Sequence, residues 1–147
     1  MLFRSFWDSL REVIANSDLI SINDEESEMI TGEKNLEKAA EIIHGLGPKY
    51  VIIKKAEAGA ELFNFKNKSK FNAFKVTKVV DPTGAGDCFV GGIAGYLTQC
   101  DEISFKNIES AIAYGTSIAS YNVESMGTKN LLNLSMEDIK SRINTIN

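Results

Sequence analysis

Cysteine, histidine and proline are scarce in this chain, and the first two scarcities each close off a class of function. Two cysteines, Cys88 and Cys100, and one histidine, His44, cannot build a disulfide framework and are too few for a Cys/His zinc cage. No apolar run approaches the length of a membrane-spanning helix. The opening segment, MLFRSFWDSLREVIANSD, lacks the continuous apolar stretch of a secretory leader and has the spacing of an amphipathic helix. A cytoplasmic location with no membrane partner is the expectation. Positive charge is not in excess either: 16 Lys and Arg stand against 20 Asp and Glu, with both signs interspersed. That balance gives no basic field for a nucleic-acid backbone. An anionic ligand would have to be held locally, by backbone amides or a few cations.

What is present is the composition of a folded protein. Hydrophobic residues make up 44% of the 147 positions, enough apolar surface to offset chain entropy in one domain with one core. Phe6, Leu10, Val13 and Ile14 fall at helical spacing and predict a helix over residues 5–16. Asp18 to Ile22 reads as a short buried strand, followed by a short acidic helix that ends at Gly32. Asn35 is placed to cap a helix carrying Leu36, Ala39, Ala40 and Ile43, stopped by Gly45, Gly47 and Pro48. Tyr50 to Ile53 is a β-branched strand. Ala60–Phe65 and Phe71–Val76 are expected to pair through a polar turn at Lys66–Lys70. Helices follow from about Ala85 to Gln99 and from about Phe105 to Val123, and a last amphipathic helix carries Met136, Ile139 and Ile143. Helices alternating with short apolar strands argue for an α/β fold, a mostly parallel sheet flanked by helices. His44, Trp7 and Cys100 read as structural.

The most informative segment is Val79–Tyr96, VVDPTGAGDCFVGGIAGY. It reads as a strand end, a glycine turn and a helix start. Gly84 and Gly86 permit backbone angles and close approaches that a β-carbon blocks. The first amides of the helix have no intrahelical acceptor, and the helix dipole adds positive potential there, so the turn is a ready anion site. Asp87 lies in that first turn. A carboxylate beside an anion hole is what phosphoryl transfer to an alcohol requires: a base for the hydroxyl next to donors for the developing charge. The plainer alternative is that Asp87 only favours the helix start and the glycines only make a tight turn. Other glycine motifs fit worse. A dinucleotide fingerprint needs a glycine where Phe89 stands, and a Walker A loop needs a lysine where Gly92 stands.

The run DPTGAGDCFVGG resembles the second signature of the PfkB, or ribokinase-like, family of sugar and nucleoside kinases. That pattern is long and ordered. The resemblance implies a ribokinase-like fold, with ATP and magnesium as cofactors. It implies Asp87 as catalytic base and the amides of Gly84, Ala85 and Gly86 as the anion hole. Asp81 matches a position linked to a monovalent-cation site, for which K+ is the candidate ion. Cys88 replaces a frequent threonine.

Three further segments fall in the order that the resemblance implies. In INDEESE, Asn23 and Glu26 match an N-x-x-E motif whose glutamate helps to order magnesium and the phosphates through water. A helix cap with a solvated acidic turn explains the same residues. VIIKKAEAGAELF resembles a strand–turn–strand that lies over the nucleotide, with Lys54 in a threonine position, Ala56 in place of the first glycine and Gly59 as the second. If the backbone at Ala56 needs a positive φ, alanine there is strained. In AIAYGTSIASYNVESMGTKNL, the small residues Ala113, Ser117 and Ser120 would let an adenine lie close to a helix; helix packing explains them as well.

The resemblance covers only the carboxyl-terminal half of a typical member. No G-G-x-x-x-N segment of the first family signature is found. The resemblance therefore implies ATP chemistry, with the acceptor pocket in a missing amino-terminal half. A sheet divided there should expose a strand, at Leu19–Ile22 or Tyr50–Ile53, so self-association or association with that half is the expectation. Two readings follow: a kinase for a hydroxymethyl group of a sugar or nucleoside, incomplete as this chain alone, or a non-catalytic nucleotide-binding remnant or regulatory module.

Overall fold

The computed structural model describes residues 2–146, with side chains from Phe6 onward. The backbone gathers into two compact units: the chain up to Ala56 together with Ala60–Lys70, and Glu57–Gly59 together with Phe71 onward. Each is described by itself.

The first unit runs α1 (Leu2–Ala15), β1 (Leu19–Asn23), α2 (Asp24–Thr31), α3 (Leu36–His44), β2 (Tyr50–Lys54), β3 (Ala60–Phe63) and β4 (Lys68–Phe71). The sheet order is β1-β2-β3-β4. It is mixed: β1 and β2 are parallel, with Ile20 opposite Val51, and β2 and β3 are antiparallel, with Ile53 opposite Glu61. The expected parallel pairing is present at β1/β2, and the meander supplies the antiparallel part. Ile14, Ile22, Ala40, Ile43, Val51, Ile53 and Phe63 form the core of this unit. α2 stops at Gly32, which adopts φ 72 as a left-handed cap, and Asn35 caps α3 by accepting from the Lys38 amide. His44 is buried, its Nδ1–H donates to the Pro48 carbonyl at 2.8 Å, and its ring lies against Phe65.

The hairpin differs from expectation. β4 ends at Phe71, and the turn comes earlier, at Asn64–Asn67. The Asn64 side chain accepts from the Lys66 and Asn67 amides, a local turn that an asparagine makes for itself and that starts the return strand at Lys68.

The second unit holds α4 (Ala85–Leu97), α5 (Phe105–Val123) and α6 (Met136–Ile143). α4 and α5 pack through glycine. A Cβ on Gly92 would lie 2.8 Å from the Gly115 Cα, and one on Gly115 would lie 2.5 Å from the Phe89 carbonyl oxygen. On α5, Ile108, Ala111, Ile112 and Gly115 are buried as the apolar spacing requires, while Ile118 and Ala119 are half-buried. Among the described residues no helix is long and apolar enough to cross a membrane.

Between β2 and β3 the chain makes a short 3-10 turn at Ala56–Ala58. Ala56 has φ 47 and is the one non-glycine with positive φ among the described residues. The strain expected of an alanine in this motif is therefore present. Gly59 follows with φ 87, and a Cβ there would fall 1.9 Å from the Phe71 carbonyl oxygen. Ala56→Gly should raise stability by about 0.5–1 kcal/mol, relief of left-handed strain outweighing the added chain entropy. Gly59→Ala should lower it by about 2–3 kcal/mol, because backbone must move. Urea unfolding of both variants checks the pair; a destabilised Ala56→Gly would contradict the assignment of strain.

Candidate active site

The glycine turn opens α4 as a helix start with no side-chain cap. Gly84 is the N-cap residue, at φ 78 and ψ 0. A left-handed N-cap turns the backbone so that the following amides point out ahead of the helix. The Ala85 amide donates to the Pro82 carbonyl at 3.2 Å, and the Cys88 amide to the Gly84 carbonyl at 2.9 Å. Among the described residues, the Gly86 and Asp87 amides find no acceptor within the chain. Ala85, expected to contribute to an anion hole, is thus already engaged within the turn, and the free donors shift one residue along. Asp87 is solvent-exposed in the first helical turn, among those donors. Partial burial of the neighbouring Cys88, and after it the Asp87 charge, push the Cys88 thiol up.

The loop before the turn has no regular structure and is held by α5 and the segment after it. The Val123 carbonyl accepts from the Val80 amide at 2.7 Å and the Asp81 amide at 3.2 Å. Asn122, only 2% exposed, donates from Nδ2 to the Thr83 carbonyl at 2.8 Å. The Asp81 carboxylate accepts from the Thr83 amide at 3.0 Å and the Gly127 amide at 3.3 Å. These bonds favour its ionised form and hold its pKa below the ordinary carboxylate value, the Thr83 bonds contributing most. Both carboxylate oxygens are therefore spent on fixing the loop.

The other residues singled out in the sequence lie as follows. Asn23 and Glu26 form a reciprocal capping box on α2: the Glu26 amide donates to Asn23 Oδ1 at 2.7 Å, and the Asn23 amide donates to Glu26 Oε2 at 2.8 Å. Lys54 ends β2, in register with Asn23 on one side and Ala60 on the other. These three belong to the first unit, and Asp81 and the glycine turn to the second. Ser117 is fully buried, and its hydroxyl donates to the Ile139 carbonyl of α6 at 3.1 Å. It is a seam residue between α5 and α6, and the expectation of an adenine lying against its side chain is corrected accordingly. Ser120 is buried in the same seam and donates to the Ser117 carbonyl.

Two features were missed. Asn122 sits in an apolar helical stripe, and a polar residue at such a position was the available signal. Glu61, buried on β3, pairs with Lys55 at 2.7 Å and Lys70 at 3.7 Å; only its charge within an otherwise apolar strand marked it. Among the described residues no group of three or more His, Cys, Asp or Glu side chains could cage a metal ion.

The Asp81 bonds make a titration prediction. A carboxylate whose folded pKa is depressed contributes stability above its ordinary pKa and loses it as pH falls through the folded value. The Thr83 and Gly127 amide resonances should therefore shift together on acidification, with a midpoint below the ordinary 3.8. A midpoint at or above that value would mean that the carboxylate does not hold the loop.

Comparison with known proteins shows the family. The model of the pfkB family carbohydrate kinases matches residues 1–134. The chain is 40% identical over 113 residues to a cytidine kinase of Thermococcus kodakarensis, covering 71% of this chain and 40% of that protein. It is 28% identical over 134 residues to a ribokinase of Haemophilus influenzae, covering 88% of this chain and 42% of that protein. Among solved structures, a ribokinase of Thermotoga maritima superposes with a TM-score of 0.76 at 34% identity, over 91% of this chain and 44% of that one. An aminoimidazole riboside kinase of Salmonella enterica, solved with aminoimidazole riboside and an ATP analogue, has the same fold at a TM-score of 0.83 and 23% identity, over 95% of this chain and 46% of that one. The chain thus spans less than half the length of the relatives it matches. On the family match, the capped glycine turn and the ribokinase-like fold together, this chain belongs to the pfkB family of carbohydrate kinases.

Proposed function

We propose that the chain carries the ATP-binding and catalytic part, residues 1–147, of a kinase that transfers the γ-phosphoryl group of ATP to a hydroxymethyl group of a sugar or nucleoside. The observation that carries this reading is the start of α4, where an exposed carboxylate, Asp87, stands among amides that have no acceptor in the chain. The transferred phosphoryl group sits ahead of Gly84, Gly86 and Asp87, whose amides and helix dipole stabilise its charge. Asp87 accepts the proton of the attacking hydroxyl as the new oxygen–phosphorus bond forms and the bond to ADP breaks.

A magnesium ion neutralises phosphate charge in such transfers. The residues fit an ion held mostly by phosphates and water, since no carboxylate cage is present among the described residues. Glu26 is exposed and is proposed to act through water, one oxygen remaining in the capping box. Asp81 is proposed to shape a monovalent-cation site by its hold on the loop, and Lys54 and the Gly59 turn to lie near the nucleotide. On this reading the acceptor pocket needs residues that the 147 here do not carry, from a second copy or an amino-terminal half. β1 is an edge strand of the sheet, whereas β2 is paired on both sides.

The chain alone should therefore show no appreciable turnover of ribose, fructose or adenosine. In a form of the protein that does turn over, Asp87→Asn should lower kcat by ~10²- to 10⁴-fold and leave ATP affinity nearly unchanged, because the base acts on the acceptor hydroxyl. A loss below about tenfold would assign the carboxylate to the helix start alone and favour the non-catalytic module.

A further inference from the structure

Taking the start of α4 as the phosphate site proposed above, we infer that Arg142, on α6, is a positioning residue for that site and acts through the last turn of α5. α6 lies beyond residue 134, where the family match ends. The Arg142 side chain is 13% exposed. Its guanidinium donates to Ser120 Oγ and to Glu124 Oε2, each at 2.9 Å. It also lies over the Tyr121 ring, 3.4 Å from the centroid, and over the Phe74 ring at 4.3 Å.

The reason for such a clamp lies at the end of α5. Its last turn has no basic residue, and its C-cap is Glu124. A carboxylate at the negative end of a helix dipole is unfavourable, and this one is only 26% exposed. Arg142 supplies the missing positive charge. The same turn carries the Asn122 and Val123 groups that hold Val80, Asp81 and Thr83. One turn of helix is thus bonded to α6 in one direction and to the glycine loop in the other. Two further bonds, Ser117 Oγ–H to the Ile139 carbonyl and Tyr121 Oη–H to the Asp138 carbonyl, keep α6 in register beside it. Removing the guanidinium leaves Glu124 unpaired, the turn relaxes, and the Val123 carbonyl no longer fixes where the loop enters α4.

Amide resonances of Gly84, Gly86 and Asp87 in the ligand-free chain test this without any nucleotide. Arg142→Met keeps the side-chain length and removes the charge; Ile108→Val, a core change near the other end of α5, serves as a destabilised control. Arg142→Met should move the Gly86 and Asp87 resonances and weaken binding of a magnesium-loaded, non-hydrolysable ATP analogue about tenfold. Ile108→Val should do neither. If Arg142→Met does not fold, Glu124→Gln, which spares the ring contacts, should move the same resonances to a smaller extent. Unmoved resonances in these variants, or equal movement in Ile108→Val, overturn the proposal. Moved resonances in a protein that binds no nucleotide would sink the phosphate-site reading while leaving the coupling of Arg142 to the turn in place.

Discussion

The loop that carries the glycines makes no regular structure of its own, and three hydrogen bonds from the last turn of α5 decide where it lies. Two backbone amides of the loop converge on the Val123 carbonyl, and the buried Asn122 side chain reaches the Thr83 carbonyl. Each bond is worth only about 1 kcal/mol net. The cost of breaking the Asn122 bond is larger, since its amide would then be buried without a partner. Asp81 closes the same loop from the other side by bonding the Thr83 and Gly127 amides. The position of the Gly84 cap, and with it the direction in which the free amides of α4 point, follows from this arrangement.

That arrangement in turn requires α4 and α5 to lie close together. Gly92 and Gly115 make the approach possible, because a Cβ on either would meet the opposing helix closer than 3 Å. Small residues on α5 that suggest a ligand face in the sequence serve this packing and the seam with α6 instead. The helix pair is therefore a closely packed mount, and the Asp87 carboxylate proposed as the base sits at its exposed end, on an element rather than in a free loop.

Much of this was legible in the sequence, for physical reasons that can be named. The Asn35 cap, the left-handed stop at Gly32 and the start of α4 after Gly84 follow from residue types with few conformational options. The strain at Ala56 could be anticipated because an alanine stood where the motif wants a glycine. Periodicity puts the hairpin turn too late, because Asn64 closes its own turn, a choice that the apolar pattern does not register. Ser117 and Ala85 illustrate another limit. A small residue on a helix is compatible with a ligand and with a neighbouring helix alike, and only the Ile139 carbonyl beside Ser117 decides between them. The amide of Ala85 is free or engaged according to where the Pro82 carbonyl points. Arg142 left no signal, since a basic residue in the last turn of an amphipathic helix is the common case.

The central claim is that the free amides at the start of α4 hold the phosphates of ATP, and calorimetric titration of ATP into the chain with and without magnesium tests it most directly. Saturable binding, stronger with magnesium, is the expected result. Binding should be weakened by about tenfold or more in Gly84→Ala, where the left-handed cap is strained by ~1–2 kcal/mol although space for the methyl group exists. No saturable heat from the folded chain, or equal affinity in a folded Gly84→Ala variant, would contradict it.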